Sequence, residues 1–144
     1  MSYQTTKEHE LLREKVREFA EREIKPVAFS LDVKSEFPTQ IVKNMGKLGI
    51  MGLPYEKKYG GAGLDVISYA IAVEELSRVD GGVGVILSAH TSLGTYPIAA
   101  FGSEEQKKKY LPGLCSGELL GAFGLTEPNA GSDAGSARTT AIFD

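Results

Sequence analysis

Cysteine occurs once in the 144 residues, at Cys115, which excludes an internal disulfide and a cysteine-rich metal site. Nothing local activates that thiol, so it reads as a small apolar residue. Charge of one sign is also lacking. The net charge is only −3, and no basic stripe with interleaved aromatics is present, which argues against nucleic-acid binding. The densest basic run, Lys107-Lys108-Lys109, follows Glu104 and Glu105 and reads as the solvated face of a helix. Long hydrophobic runs are missing too: the longest, Val83 to Leu87, is too short to span a bilayer. The N-terminal stretch is dominated by charged residues rather than by an apolar signal segment. These absences point to a cytoplasmic chain, long enough for one domain with a real core. Phosphate-binding fingerprints are absent as well. Tyr59-Gly60-Gly61-Ala62-Gly63 is glycine-rich, but no GxGxxG or Walker spacing follows a strand, so a sharp connection between helices explains it.

What is present is helical periodicity. Thr5 and Glu8 have capping-box spacing. Leu12, Val16, Phe19 or Ala20, Ile24 and Val27 then recur at helical period, with Pro26 ending the regular pattern. Glu18–Arg22 and Glu21–Lys25 are i,i+4 pairs on the wet face. A second helix is expected from Pro38 to Gly49, burying Ile41, Met45 and Leu48. A third runs from an Asp65 cap to Arg78 and is apolar nearly all round, which predicts a central position. Its Glu74 and Glu75 point about 100° apart, so they form no catalytic dyad and are read as structural. A fourth, Val83 to Ala100, is rich in small residues and carries Ser88, His90, Thr91, Ser92 and Thr95; it suits either tight packing or close approach of a ligand. His90 has no carboxylate or second ligand that can be placed beside it, so a hydrogen-bonded histidine is expected rather than a base. Ser103, with Gln106 in the capping-box position, opens a fifth helix that reaches Tyr110 and Leu111 before Pro112.

Beyond Gly117 the pattern changes. Leu119, Leu120, Ala122, Phe123 and Leu125 read as a strand. The turn Gly124-Leu125-Thr126-Glu127-Pro128-Asn129-Ala130-Gly131-Ser132-Asp133 follows. Such a turn offers backbone N–H groups and short hydroxyls to a flat polar ring or an anionic group. The expected organisation is therefore a helical domain at 1–117 and the start of a β region at 118–144, with no internal repeats or low-complexity linkers.

Gly124-Leu125-Thr126-Glu127-x-x-Ala130-Gly131-Ser132-Asp133-x-x-Ser136 resembles the signature of the acyl-CoA dehydrogenase family. Tyr59-Gly60-Gly61-x-Gly63, Glu74-Glu75-Leu76-Ser77 and Phe101-Gly102-Ser103-Glu104-Glu105-Gln106-Lys107 are family-like too, so the resemblance covers essentially the whole chain. Ser88-Ala89-His90-Thr91-Ser92-Leu93 looks most like the short-chain, butyryl-CoA branch. The resemblance implies a mainly α fold, the N-terminal helical domain of that family, followed by the first strand or strands of its middle β-barrel domain. It implies a homotetrameric FAD flavoprotein of fatty-acid β-oxidation. Such an enzyme oxidises acyl-CoA across its α and β carbons and passes electrons to an electron-transfer flavoprotein. Phe123, Leu125, Thr126, Gly131 and Ser132 match the family's flavin-binding positions. Ser132, Ser88, Leu93 and Tyr96 match those near the acyl-CoA, and Glu127 is expected to serve the turn. The family's catalytic glutamate has no match here, so no catalytic residue is assigned and the chain alone is expected to be inactive. The alternatives are a non-catalytic helical association module derived from this fold, or a related acyl-CoA oxidase.

Overall fold

The computed structural model describes residues 4–142; residues 1–3 and 143–144, at the outer ends of the two expected segments, lie outside the described residues. Helix α1 (Lys7–Phe19) starts one residue later than the expected capping box. The Thr6 hydroxyl accepts from the His9 N–H at 3.3 Å, and the Thr6 N–H donates to His9 Nδ1 at 3.1 Å. An imidazole nitrogen does here what a glutamate oxygen does in the usual box. The helix then widens into a π turn, Ala20–Ile24. The wet-face pairs form, Arg22 to Glu18 at 3.3 Å and Lys25 to Glu21 at 2.6 Å.

Helix α2 (Ala28–Lys34) has no counterpart in the periodicity. Phe29, 81 % exposed, and Val33 face outward, and only Ala28 and Leu31 pack, partly buried, against the core, so its apolar residues do not gather on one buried stripe. In α3 (Thr39–Lys47), Ile41, Val42 and Met45 are buried. The expected burial of Leu48 does not occur: the helix ends at Lys47, the chain turns at Gly49 with φ 74°, and Leu48 is exposed. Helix α4 (Val66–Ser77) begins as expected, with Asp65 Oδ1 accepting from the Ser68 N–H at 2.8 Å. It packs on α1 and on α5 (Gly81–Ser88). Its central position is corrected, however: Val66 is 71 % exposed and Ile67 and Ala70 are also open.

The expected fourth helix is interrupted. After α5 the backbone widens into a π turn at Ala89–Thr95 before α6 (Tyr96–Phe101). The Thr95 hydroxyl donates to the His90 carbonyl at 2.7 Å, five residues back, which suits the wider turn. Helix α7 (Glu104–Ser116) has the expected Ser103–Gln106 capping box but runs through Pro112. Pro112 is exposed, and its ring removes only one backbone donor from the helix. Gly117, φ 73°, ends it in the left-handed conformation.

The core gathers residues from α1, α3, α4 and α5, among them Val16, Phe19, Met45, Leu76 and Leu87. A smaller cluster joins Tyr59 to Leu111 and Leu114. Glu75 is buried between α1 and α4. Arg17 donates to both of its oxygens at 2.8 Å and Arg13 to one at 2.8 Å, with Arg78 at 3.4 Å. The Arg17 and Arg13 hydrogen bonds hold its carboxyl down at about 2 against the opposing effect of burial. Glu75 is structural, as its position beside Glu74 suggests.

The expected strand over residues 119–125 is absent, and no strand occurs among the described residues. A strand exists only where a neighbour takes its N–H and C=O groups. Beyond α7 the only β pairing among the described residues is an isolated antiparallel bridge, Glu127 with Ala130, followed by a short 3-10 turn at Ala134–Ser136.

Candidate functional site

Two surface features carry the residues singled out by sequence. The first is a cleft of about 580 Å³ bordered by Tyr55, Tyr59, Tyr69, Ser92, Tyr96 and Leu111. The Tyr55 hydroxyl donates to the Thr91 carbonyl at 2.5 Å, that of Tyr59 to Glu104 at 2.8 Å, and that of Tyr69 to the Ser88 carbonyl at 3.2 Å. Burial pushes the Tyr55 hydroxyl above the usual tyrosine range. With these hydroxyls engaged by the protein, the rings serve as apolar wall rather than as acids. Tyr96 stands on the cleft, whereas Ser88 lies behind it, bonded to Tyr69 and to the Ser92 hydroxyl at 2.6 Å. Leu93 is exposed and is not among the cleft residues.

The second feature is the turn after residue 123. Phe123 is 51 % and Leu125 47 % exposed, and Thr126, Gly131 and Ser132 are exposed too. The turn holds itself. The Glu127 N–H donates to the Ala130 carbonyl at 2.9 Å, and the Ala130 N–H returns to Glu127 at 3.1 Å. The Glu127 carboxylate accepts from the N–H groups of Arg138 at 2.7 Å and Thr139 at 2.9 Å, which keeps it below the usual carboxylate range. Glu127 therefore does serve the turn. No cleft residue lies beyond Leu111, so cleft and turn are separate features of the described surface.

His90 ties the helical body to the segment that leads into the turn. Its ring is fully buried, with Nδ1 accepting from the Gly121 N–H at 2.9 Å and Nε2 donating to the Leu114 carbonyl at 3.1 Å. One partner can only donate and the other only accept, which fixes a neutral imidazole protonated at Nε2. Burial lowers its pKa and favours the same neutral form. The backbones of Gly94 and Gly121 meet directly: a Cβ on Gly94 would lie 2.6 Å from the Gly121 Cα. The sequence signals His90 as a hydrogen-bonded residue but not its partners. The cleft tyrosines 55, 59 and 69 fall within fifteen residues of one another but in a bend, a short 3-10 turn and α4, so no shared periodicity signals that they meet.

Among the described residues, no group of three or more His, Cys, Asp or Glu side chains could hold a metal ion. No helix among them is long and apolar enough to cross a membrane. Cys115 is buried, and burial pushes its thiol up to about 11.

A helical domain capped by a self-tied turn is the class that these features define. Residues 6–118 match the acyl-CoA dehydrogenase N-terminal domain, and the chain belongs to the acyl-CoA dehydrogenase family. It is 57 % identical over 144 residues to the short-chain specific acyl-CoA dehydrogenase of Clostridium acetobutylicum, covering 100 % of this chain and 38 % of that protein. It matches a chain of the structure described as the electron transferring flavoprotein of Acidaminococcus fermentans. There the TM-score is 0.94 at 44 % identity, over 100 % of this chain and 38 % of that one. It also matches the acyl-CoA dehydrogenase of Bacillus anthracis complexed with FAD, with TM-score 0.87 and 41 % identity, over 93 % of this chain and 23 % of that one. The chain thus spans 38 % of the length of the Clostridium relative.

Proposed function

We propose that this chain is the N-terminal part of an FAD-dependent acyl-CoA dehydrogenase. Its substrate would be a short-chain acyl-CoA, oxidised to the trans-2-enoyl-CoA, with an electron-transfer flavoprotein as the acceptor. Identity to the Clostridium short-chain enzyme along the whole chain carries this reading. FAD, when bound, supplies the acceptor for the β hydride.

The residues present fit such a group. The Thr126 hydroxyl and the backbone around Phe123 and Leu125 are exposed, and no strand ladder among the described residues competes for them. In the proposed role, Leu125 and Thr126 donate to the polar edge of the flavin ring, where negative charge develops. Gly131 lets backbone approach closely, and the Ser132 hydroxyl faces both flavin and thioester. Tyr96, with Ser88 and Leu93, borders the acyl chain. No carboxylate here is proposed as the base: Glu75 is committed to Arg13 and Arg17, and Glu127 to its turn. The chain alone is therefore proposed to be inactive.

We propose further that the helical domain closes at residue 117 and that residues 118–144 open a β domain, pairing once a partner strand is supplied. Exposed Val85, Leu93 and Tyr96 leave an apolar side on the fourth helical stretch, which supports burial in a homo-oligomer, tetrameric as the family resemblance implies. The same side supports the second reading, a non-catalytic association module. A cytoplasmic setting accompanies the enzymatic one.

Titration of FAD with the purified chain, read by flavin fluorescence, tests the cofactor assignment. The wild type should perturb the emission, and Thr126→Ala should weaken the effect about fivefold, as loss of one neutral hydrogen bond does. Identical titrations would remove Thr126 from the site. Oxidation of butyryl-CoA by the chain alone with an artificial acceptor would overturn its proposed inactivity.

A further inference from the structure

We propose that His90 is a positioning residue for the Phe123–Thr126 segment, acting through the Gly121 amide. The proposal rests on the reading that this segment borders the flavin. Past Gly117 the chain leaves α7 with few ties to the helical body. The Leu119 N–H donates to the Gly113 carbonyl at 2.9 Å, and the Gly121 N–H then donates to His90 Nδ1 at 2.9 Å. Among the described residues, this is the last hydrogen bond to the helical body before the turn, since the bonds of Glu127 stay within residues 127–139. Only Ala122 separates Gly121 from Phe123. Where the Gly121 amide sits therefore decides where the next residues can reach.

The clamp is built rather than incidental. The π turn carries His90 on one wall and Gly94 on another, and the Thr95 hydroxyl holds the His90 carbonyl at 2.7 Å. Gly94 and Gly121 have no side chain between them, and a Cβ on Gly121 would stand 3.2 Å from the His90 carbonyl oxygen. The ring is anchored from behind by the Leu114 carbonyl at 3.1 Å, so it cannot rotate away without breaking both bonds. A neutral ring is required: a proton on Nδ1 would face the Gly121 N–H donor and abolish the contact.

The two ring nitrogens make the proposal separable from a plain packing role. In His90→Asn the amide oxygen occupies the place of Nδ1 and can still accept from Gly121. In His90→Gln the amide nitrogen occupies the place of Nε2 and keeps only the Leu114 bond. The experiment is amide hydrogen exchange and chemical-shift mapping on the ¹⁵N-labelled chain, with FAD added as the probe. His90→Gln should speed Gly121 exchange at least about tenfold, by leaving that donor without its acceptor, and should shrink the FAD-induced shifts at residues 123–126. His90→Asn should preserve both. Equal losses in the two variants would reduce His90 to packing and overturn the proposal, as would Gly121 protection unchanged in His90→Gln. Absence of FAD-induced shifts at 123–126 in the wild type would instead overturn the flavin reading, and the positioning role with it. Should His90→Gln fail to fold, Gly94→Ala displaces Gly121 while leaving the imidazole in place. It must then speed Gly121 exchange and shrink the same shifts, and unchanged values would again overturn the proposal.

Discussion

The helical body and the segment beyond Gly117 are held by different forces. In the body, side chains such as Leu76, Leu87 and Met45 are wholly buried and touch several elements at once. In the segment, Leu119, Leu120, Phe123 and Leu125 are exposed, and order comes from a few hydrogen bonds centred on Gly121 and Glu127. Burial of apolar area makes the body cooperative. Hydrogen bonds open to water contribute little net stability but define geometry well. A segment proposed to face a ligand gains from the second arrangement, because its apolar and polar groups stay exposed.

That contrast can be broken most severely in the core. Leu76→Ala should cost about 3 kcal/mol in urea unfolding, within the usual range for a buried leucine. Leu125→Ala should cost less than about 0.5 kcal/mol. Comparable values would mean the segment shares the body's core.

Glu75→Gln should cost about 2 kcal/mol, below the range for wholly buried pairs because Arg17 and Arg78 keep much of their exposure. The sign of the pH effect follows from the depressed carboxyl. Its stabilisation is complete above the ordinary glutamate range and is lost as pH falls toward about 2. Wild type and variant should therefore converge in acid, and parallel pH–stability curves would contradict the Arg–Glu75 account.

Ser103→Ala, which removes the α7 cap, should cost about 1 kcal/mol. The smallest global effect is expected from Glu127→Ala. The thermal midpoint should stay within about 2 °C, while the Arg138 and Thr139 amides exchange faster. A large fall in the midpoint would place the turn within the cooperative body.

Much of the helical body was legible because its signals are local. Asp65 and Ser103 cap helices with their own oxygens, and the spacing of Val16, Phe19 and Ile24 mirrors the face they bury. Helix α2 leaves no periodic signal because Phe29 and Val33 point outward, and α7 runs past Pro112 because one missing donor does not unwind a packed helix. The strand over residues 119–125 shows the opposite error. The apolar run Leu119 to Leu125 registers a propensity, but a ladder is a property of two segments, and only one lies among the described residues. The turn after Phe123 was placed correctly along the chain. Its link to His90 was hidden because the partners stand 31 residues apart.

The widened turn at Ala89–Thr95 has a consequence for insertions and deletions. A π turn accommodates an extra residue in a helix. Deleting one residue there would restore ordinary winding while leaving the flanking helices α5 and α6 close to their present register. What would be lost is the widened turn itself, with the five-residue reach of the Thr95 hydroxyl to the His90 carbonyl and the place of Gly94 against Gly121. At this point in the chain the count of residues constrains the protein as tightly as their identity does.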